Sequence, residues 1–315
     1  MEREKKMEKV AIVGAGLLGR AWAIVFARSG FDVVMWDPAA GACAAARAFI
    51  AERLPELHEL GLIADAPDAV LARVSAAPTL AEALQGAVHV QENGPERVAE
   101  KRTLFAEMDR LAGKPAVLAS STSGIPASDF TADLPGRARC LVAHPINPPY
   151  LVPVVELCPA PWTDAAAVSR TAELMRRAGQ VPATMHKEVP GFVVNRLQIA
   201  LVSEAFRLVR DGVMSAEDVD ACVKHGLGLR WAFIGPFETI DLNAPEGLAD
   251  YCARFGGLYE KVEAELAPLK LTPEVVANLH QARRKALPLS DIPARSAWRD
   301  RRLMALAAHK AKQPG

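Results

Sequence analysis

At 315 residues the chain is long enough for two domains with cores of their own, and a composition half apolar and 23% charged is that of an ordinary globular protein. Lysine plus arginine balances aspartate plus glutamate at 37 each, which excludes the basic surfaces that hold nucleic acid or anionic membranes. Cys43, Cys140, Cys158, Cys222 and Cys252 are scattered without CxxC pairing, no apolar run is long enough to span a bilayer, and the opening MEREKKMEKV is charged; a cytoplasmic protein with no disulfide framework and no metal site is expected.

In chain order, Val10–Val13 reads as a short buried strand stopped by Gly14, Leu17–Ser29 as a helix closed by Gly30, and Phe31–Trp36 as the next buried strand. Alanine-rich helix follows from about residue 39 to 62, and further strands are expected at Arg73–Ala76, Val88–Gln91, Ala116–Ser120, Ala138–Ala143 and Val152–Leu157. Helical segments between several of these strands predict an α/β Rossmann-type domain with a mainly parallel sheet. From Gly191 onward only helical periods occur, beginning with FVVNRLQIALVSEAFRLVRDG, so the expected division is an NAD-binding domain at 1–188 and an all-α domain at 189–315, ending in a polar, frayed tail.

The first unit carries GAGLLG, with Gly14, Gly16 and Gly19 bracketing Ala15, Leu17 and Leu18. It follows a strand, opens a helix, and is followed eighteen residues after Gly19 by Asp37 at the end of the second strand. Gly14 permits the tight turn, Gly16 the approach of a pyrophosphate, and Gly19 close packing of helix on strand, while the helix amides hold the phosphates. Asp37 would accept the hydroxyls of an adenosine ribose and repel a 2′-phosphate, and no arginine follows it directly, so NAD is expected over NADP. Glu92–Pro95 ends a strand with Glu96 and Lys101 in the helical segment after it; Glu96 either lines the cofactor cleft or belongs to a solvated first turn. The hydroxyls of SSTSG either cap the next turn or hold a substrate oxygen.

His144 and Glu156 interrupt the apolar run CLVAHPINPPYLVPVVEL, and an ionisable group there requires a partner or a task. The remaining histidines (His58, His89, His186, His225, His280, His309) have no mutual metal-ligand spacing, and Trp22, Phe26 and Phe31 read as core.

SSTSG, AHPINPPYLVPVVEL and PGFVVNRL, in that order and spacing, resemble the L-3-hydroxyacyl-CoA dehydrogenase family, and LVAHPINPPYLVPVVEL, GFVVNRLQIALVSEAFRLV and GLGLRWAFIGPFETIDLN resemble its λ-crystallin branch, which includes L-gulonate 3-dehydrogenase. The resemblance runs from Lys9 to about Tyr251, and more loosely beyond. It implies that His144 is the catalytic histidine, Glu156 the carboxylate paired with it, Ser123 the active-site serine and Asn195 the asparagine given by the helical domain. It further implies that Asn147 contacts substrate and that Glu96, Lys101 and Ser121 lie at the cofactor. Ser121 departs from the asparagine of the hydroxyacyl-CoA enzymes, and Arg230 with bulky neighbours replaces their smaller turn; both differences point away from a CoA thioester.

An imidazole with a carboxylate on its other nitrogen suits removal of a hydroxyl proton as hydride leaves carbon. The expected function is therefore NAD-dependent oxidation of the 3-hydroxyl of a short hydroxy acid, L-gulonate first, by a homodimer. A hydroxyacyl-CoA dehydrogenase is the alternative within the class, and an NAD-binding, crystallin-like structural protein the alternative outside it. Arg230, after HGLGL and before WAFIGP, reads as the end of a helix beyond a loop, there either to grip a substrate carboxylate or to serve a surface or subunit interface.

Overall fold

In the computed structural model of the chain, residues 7–266 and 268–313 are described. Residues 1–6 of the charged opening and 314–315 of the polar tail lie outside them; the start of that tail, as far as Lys310, is helical.

Among the described residues, eight strands make one sheet: β1 (Lys9–Val13), β2 (Asp32–Trp36), β3 (Val74–Ala76), β4 (Ala87–Glu92), β5 (Val117–Ser120), β6 (Cys140–Pro145), β7 (Val154–Pro159) and β8 (Val181–Thr184), in the order β3-β2-β1-β4-β5-β6-β7-β8. All neighbours are parallel except β6 and β7, which are antiparallel. The reason is connection length: residues 146–153 are too few for a crossover helix, so the chain must turn straight back. The first seven strands coincide with those read from the sequence to within about two residues. VPAT of β8 was not expected; it is an edge strand, mostly exposed and containing Pro182, and such a position tolerates the missing amide.

Consecutive residues of the central strands point to opposite faces, and both faces are buried. Val10 and Ile12 join Trp22 and Phe26 of helix α1 (Leu17–Arg28) and Ile50 and Leu54 of helix α2 (Ala42–Glu59) in one core. Ala11 and Val13 join Phe105, Met108, Leu118, Val142 and Phe192 in the other. Trp22 stacks on Phe26 at 5.3 Å and Phe26 meets Phe31 edge-on at 5.8 Å, as the core reading of these three required. Truncating either of the first two would destabilise the sheet by about 3–5 kcal/mol.

The chain forms two compact units, one running to Val193 and resuming at Ser296, the other Val194–Arg295. In the first, Leu303 and Met304 from the terminal helix pack on the core that holds Trp22. The described part of the second is helical, led by Val194–Arg210, Leu248–Glu265 and Pro273–Ala286.

Candidate active site

The antiparallel turn of β6 into β7 has a direct chemical result: it sets His144 opposite Glu156 in the strand register. Cross-strand neighbours stand close enough for their side chains to meet. His144 Nδ1 lies 2.8 Å from Glu156 Oε2, and the two residues are only 5% and 1% exposed. A carboxylate oxygen accepts, so Nδ1 carries the proton and Nε2 presents a lone pair. The other carboxylate oxygen accepts the amide of Val193 at 2.8 Å, which fixes the plane of the carboxylate. Phe192, fully buried, holds its ring 5.4 Å from that of His144 and reaches this position with φ at 53°. A left-handed phenylalanine costs roughly 1–2 kcal/mol, and it immediately precedes Val193, whose amide reaches Glu156. Asn147 is exposed in the turn two residues beyond β6.

Gly14 takes φ +91° and lies against the next loop, where a Cβ would come 2.9 Å from the carbonyl oxygen of Asn93. At Gly19 a Cβ would stand 1.9 Å from the carbonyl oxygen of Gly14, so only glycine lets α1 pack on β1 here. Gly16 is different: a Cβ there meets nothing within 4 Å, so the space above it is open. Leu17 is exposed and Leu18 half-buried at the start of α1, which has no capping side chain and no acid in its first turn. Its positive end therefore faces that open space uncompensated, a cradle for a phosphate. Asp37 follows β2 and accepts the amides of Ala15 at 2.7 Å and Ala39 at 2.8 Å, one on each oxygen. Each oxygen keeps a lone pair for a ribose hydroxyl. These residues fit a dinucleotide.

Glu96 lies in the loop before the helix Val98–Leu111 rather than inside it, because Arg97, the residue that precedes the helix, is still extended. Its carboxylate accepts from the Ser123 amide at 2.7 Å, the Ser123 hydroxyl at 3.2 Å and the Thr122 hydroxyl at 2.6 Å. Glu96 is thus tied to the exposed Ser123 and is no free first-turn acid. Lys101 is elsewhere: 2% exposed, with Nζ 3.0 and 2.9 Å from the two oxygens of Glu92 and 3.3 Å from Ser120 Oγ. Glu92 also accepts from Ser120 Oγ at 2.5 Å and the Gly94 amide at 2.6 Å. A buried ion pair persists only when its remaining polar atoms are satisfied in this way. Ser121 Oγ is buried and accepts from Trp22 Nε1 at 3.0 Å.

In the second unit Asn195 is the second residue of the helix Val194–Arg210. The stretch HGLGL, expected as loop, continues the helix Ala216–Cys222 as a π-helical turn, Val223–Leu227, that passes into Gly228–Trp231. Arg230 is exposed in that last helical turn. Phe192 and the Val193 amide were not singled out from sequence, and Glu92 and Thr122 entered only as members of the Glu92–Pro95 and SSTSG stretches. For Lys101 a signal existed: Lys101, Phe105 and Met108 share one helical face, and the other two are core residues.

Comparisons with known proteins place the chain in one family. The family model described as 3-hydroxyacyl-CoA dehydrogenase, NAD binding domain, matches residues 9–189, and the model for the C-terminal domain of the same enzymes matches residues 191–286. A lambda-crystallin homolog of Bos taurus is 43% identical over 310 residues, covering 97% of this chain and 96% of the relative. An L-carnitine dehydrogenase of Streptomyces griseus is 40% identical over 281 residues, covering 88% of this chain and 83% of that protein. Among solved structures, an NAD+-dependent 5-formyl-3-hydroxy-2-methylpyridine 4-carboxylic acid 5-dehydrogenase superposes with a TM-score of 0.84 at 29% identity, over 98% of this chain and 100% of that one.

Proposed function

The chain belongs to the 3-hydroxyacyl-CoA dehydrogenase family of NAD-dependent oxidoreductases acting on CH–OH, and within it we propose that this protein oxidises the 3-hydroxyl of a short, free hydroxy acid, with L-gulonate the first candidate. The observation that carries the chemistry is the buried His144–Glu156 pair, which leaves Nε2 as the base. Nε2 takes the hydroxyl proton of the substrate, and the imidazolium so formed sits 2.8 Å from a carboxylate that stabilises it and prevents the ring from turning. In the first unit, Ser123 holds the substrate oxygen, with Asn147 beside it, and Glu96 sets the direction of the Ser123 hydroxyl. Gly14, Gly16, Leu17, Leu18 and Gly19 hold the pyrophosphate and Asp37 the adenosine ribose, while Ser121 and the Glu92–Lys101 pair support the loops at the nicotinamide end. Bound there, NAD supplies the acceptor for the hydride released by the carbinol carbon.

The free acid is favoured by Arg230 and by a relative named for L-carnitine, itself a free 3-hydroxy carboxylate. A guanidinium grips a carboxylate through two parallel hydrogen bonds, whereas a thioester offers no anion beside the reacting carbon. Arg230→Met is expected to raise KM for the acid on the order of tenfold to a hundredfold with NAD affinity unchanged. An unchanged KM would assign Arg230 to a surface or interface role and remove the main support for the free-acid reading.

The second unit is proposed to hold two copies of the chain together. Leu197, Ile199, Phe237, Leu242 and Leu258 are each more than half exposed, an apolar surface that a lone protein in water rarely shows.

A further inference from the structure

The reaction makes no use of His89 or Gln91, yet both are buried on the sheet face that Trp22 and Phe26 of α1 cover. His89, Gln91 and Asn93 alternate along β4 and its exit, so they share one face, and each is linked to the next. His89 Nε2 lies 2.9 Å from Gln91 Oε1. Gln91 Nε2 donates to Ser121 Oγ at 2.7 Å and to the carbonyl of Ala143 at 3.1 Å. Ser121 Oγ donates to Asn93 Oδ1 at 2.8 Å, and Asn93 Nδ2 donates to the carbonyl of Gln91 at 2.9 Å.

The direction of every bond in this line is forced. The Ala143 carbonyl can only accept, so Gln91 must turn its NH2 toward it and toward Ser121, leaving Oε1 for His89. Oε1 can only accept, so Nε2 of His89 carries a proton, and Nδ1, buried with no hydrogen-bond partner among the described residues, is left without one: the ring is neutral. Two donors, Gln91 Nε2 and Trp22 Nε1, converge on Ser121 Oγ, so its own hydrogen has to go to Asn93. Asn93 is where the line matters for function. Its amide donates to the carbonyl of Val13 at 2.7 Å, and its carbonyl is the surface on which Gly14 rests.

We propose that His89, Gln91 and Ser121 are positioning residues for the cofactor site: a one-way donor line that fixes Asn93 and through it the glycine turn. This uses NAD binding alone and does not depend on which hydroxy acid is oxidised. Serine suits position 121 because a hydroxyl can accept two donors and still give its hydrogen to a third group.

The test is NAD+ titration by intrinsic tryptophan fluorescence together with steady-state kinetics and melting temperature, on Gln91→Leu, Ser121→Ala and the double variant. Gln91 is 0% exposed and cannot touch a ligand, so any effect of its loss on the cofactor travels through the line. Gln91→Leu is expected to raise Kd for NAD+ about tenfold while kcat and the KM of the hydroxy acid change less than about threefold. The double variant is expected to raise Kd no more than the worse single, because either break interrupts the same line. If Gln91→Leu folds poorly, His89→Leu/Gln91→Leu replaces both polar side chains by apolar ones, and the same rise in Kd is expected. A lowered melting temperature with unchanged Kd in the folded variants would make the network purely structural and overturn the proposal. So would strictly multiplicative effects in the double variant.

Discussion

His144 and Glu156 have no reason to be buried together except as a pair, and their separate substitutions distinguish base from support. His144→Ala is expected to lower kcat by a factor of about 10³ or more with NAD+ affinity nearly intact, since the base acts on substrate and the dinucleotide is held elsewhere. Glu156→Gln keeps an acceptor for Nδ1–H but removes the charge that stabilises the imidazolium, so a smaller loss, about tenfold to a hundredfold, is expected. Retention of most of the turnover by His144→Ala would overturn the assignment. His89 gives a pH dependence of stability instead. Full burial pushes its pKa down to about 4 from the ordinary 6.5, outweighing the bond from Gln91. The unfolded chain thus takes up a proton that the folded chain refuses: the stability of neutral His89 is whole above pH 6.5 and is lost as pH falls toward 4. Urea denaturation between pH 7 and 4 is expected to show the wild type losing roughly 3 kcal/mol more than His89→Leu; parallel curves would mean that His89 accepts its proton in the folded state.

At the scale of elements, the turn between β1 and α1 holds two glycines with opposite duties. Gly19→Ala drives a methyl group into the Gly14 carbonyl and is expected to destabilise the fold by roughly 1–3 kcal/mol, read as a lowered melting temperature. Gly16→Ala meets only open space, so its melting temperature should hold while NAD+ affinity falls, because the methyl group fills the phosphate cradle. Equal effects of the two on stability would contradict this division. The turn and its strands were legible in the sequence because glycines at fixed offsets between buried runs admit few structures. The His144–Glu156 pairing was legible only through resemblance: nothing in the spacing of twelve residues says that the strands turn back and place the two opposite one another. HGLGL misled because two glycines read as loop, whereas Gly226 lies within a π-helical turn and Gly228 opens the next helical turn, where a Cβ would stand 3.0 Å from the carbonyl oxygen of Val223. Glu92 and Lys101 were only partly legible: Lys101 shares a helical face with the core residues Phe105 and Met108, but only tertiary structure shows that Glu92, at the end of β4, faces it.

For the whole molecule, the family fixes the cofactor and the reaction at a CH–OH carbon. The apolar surface of the helical unit makes a testable statement about assembly: light scattering is expected to give twice the mass of 33.8 kDa, and a monomer would leave that surface without its proposed cover. The central claim, that the protein oxidises a free 3-hydroxy acid with NAD, is tested most directly by kcat/KM for NADH formation with L-gulonate, other short 3-hydroxy acids, and 3-hydroxybutyryl-CoA. A free acid is expected to exceed the thioester by at least about tenfold, with NADP giving little activity, if Asp37 and Arg230 have the roles proposed for them. A tenfold preference for the CoA thioester, or no turnover of any hydroxy acid by protein that binds NAD, would contradict it.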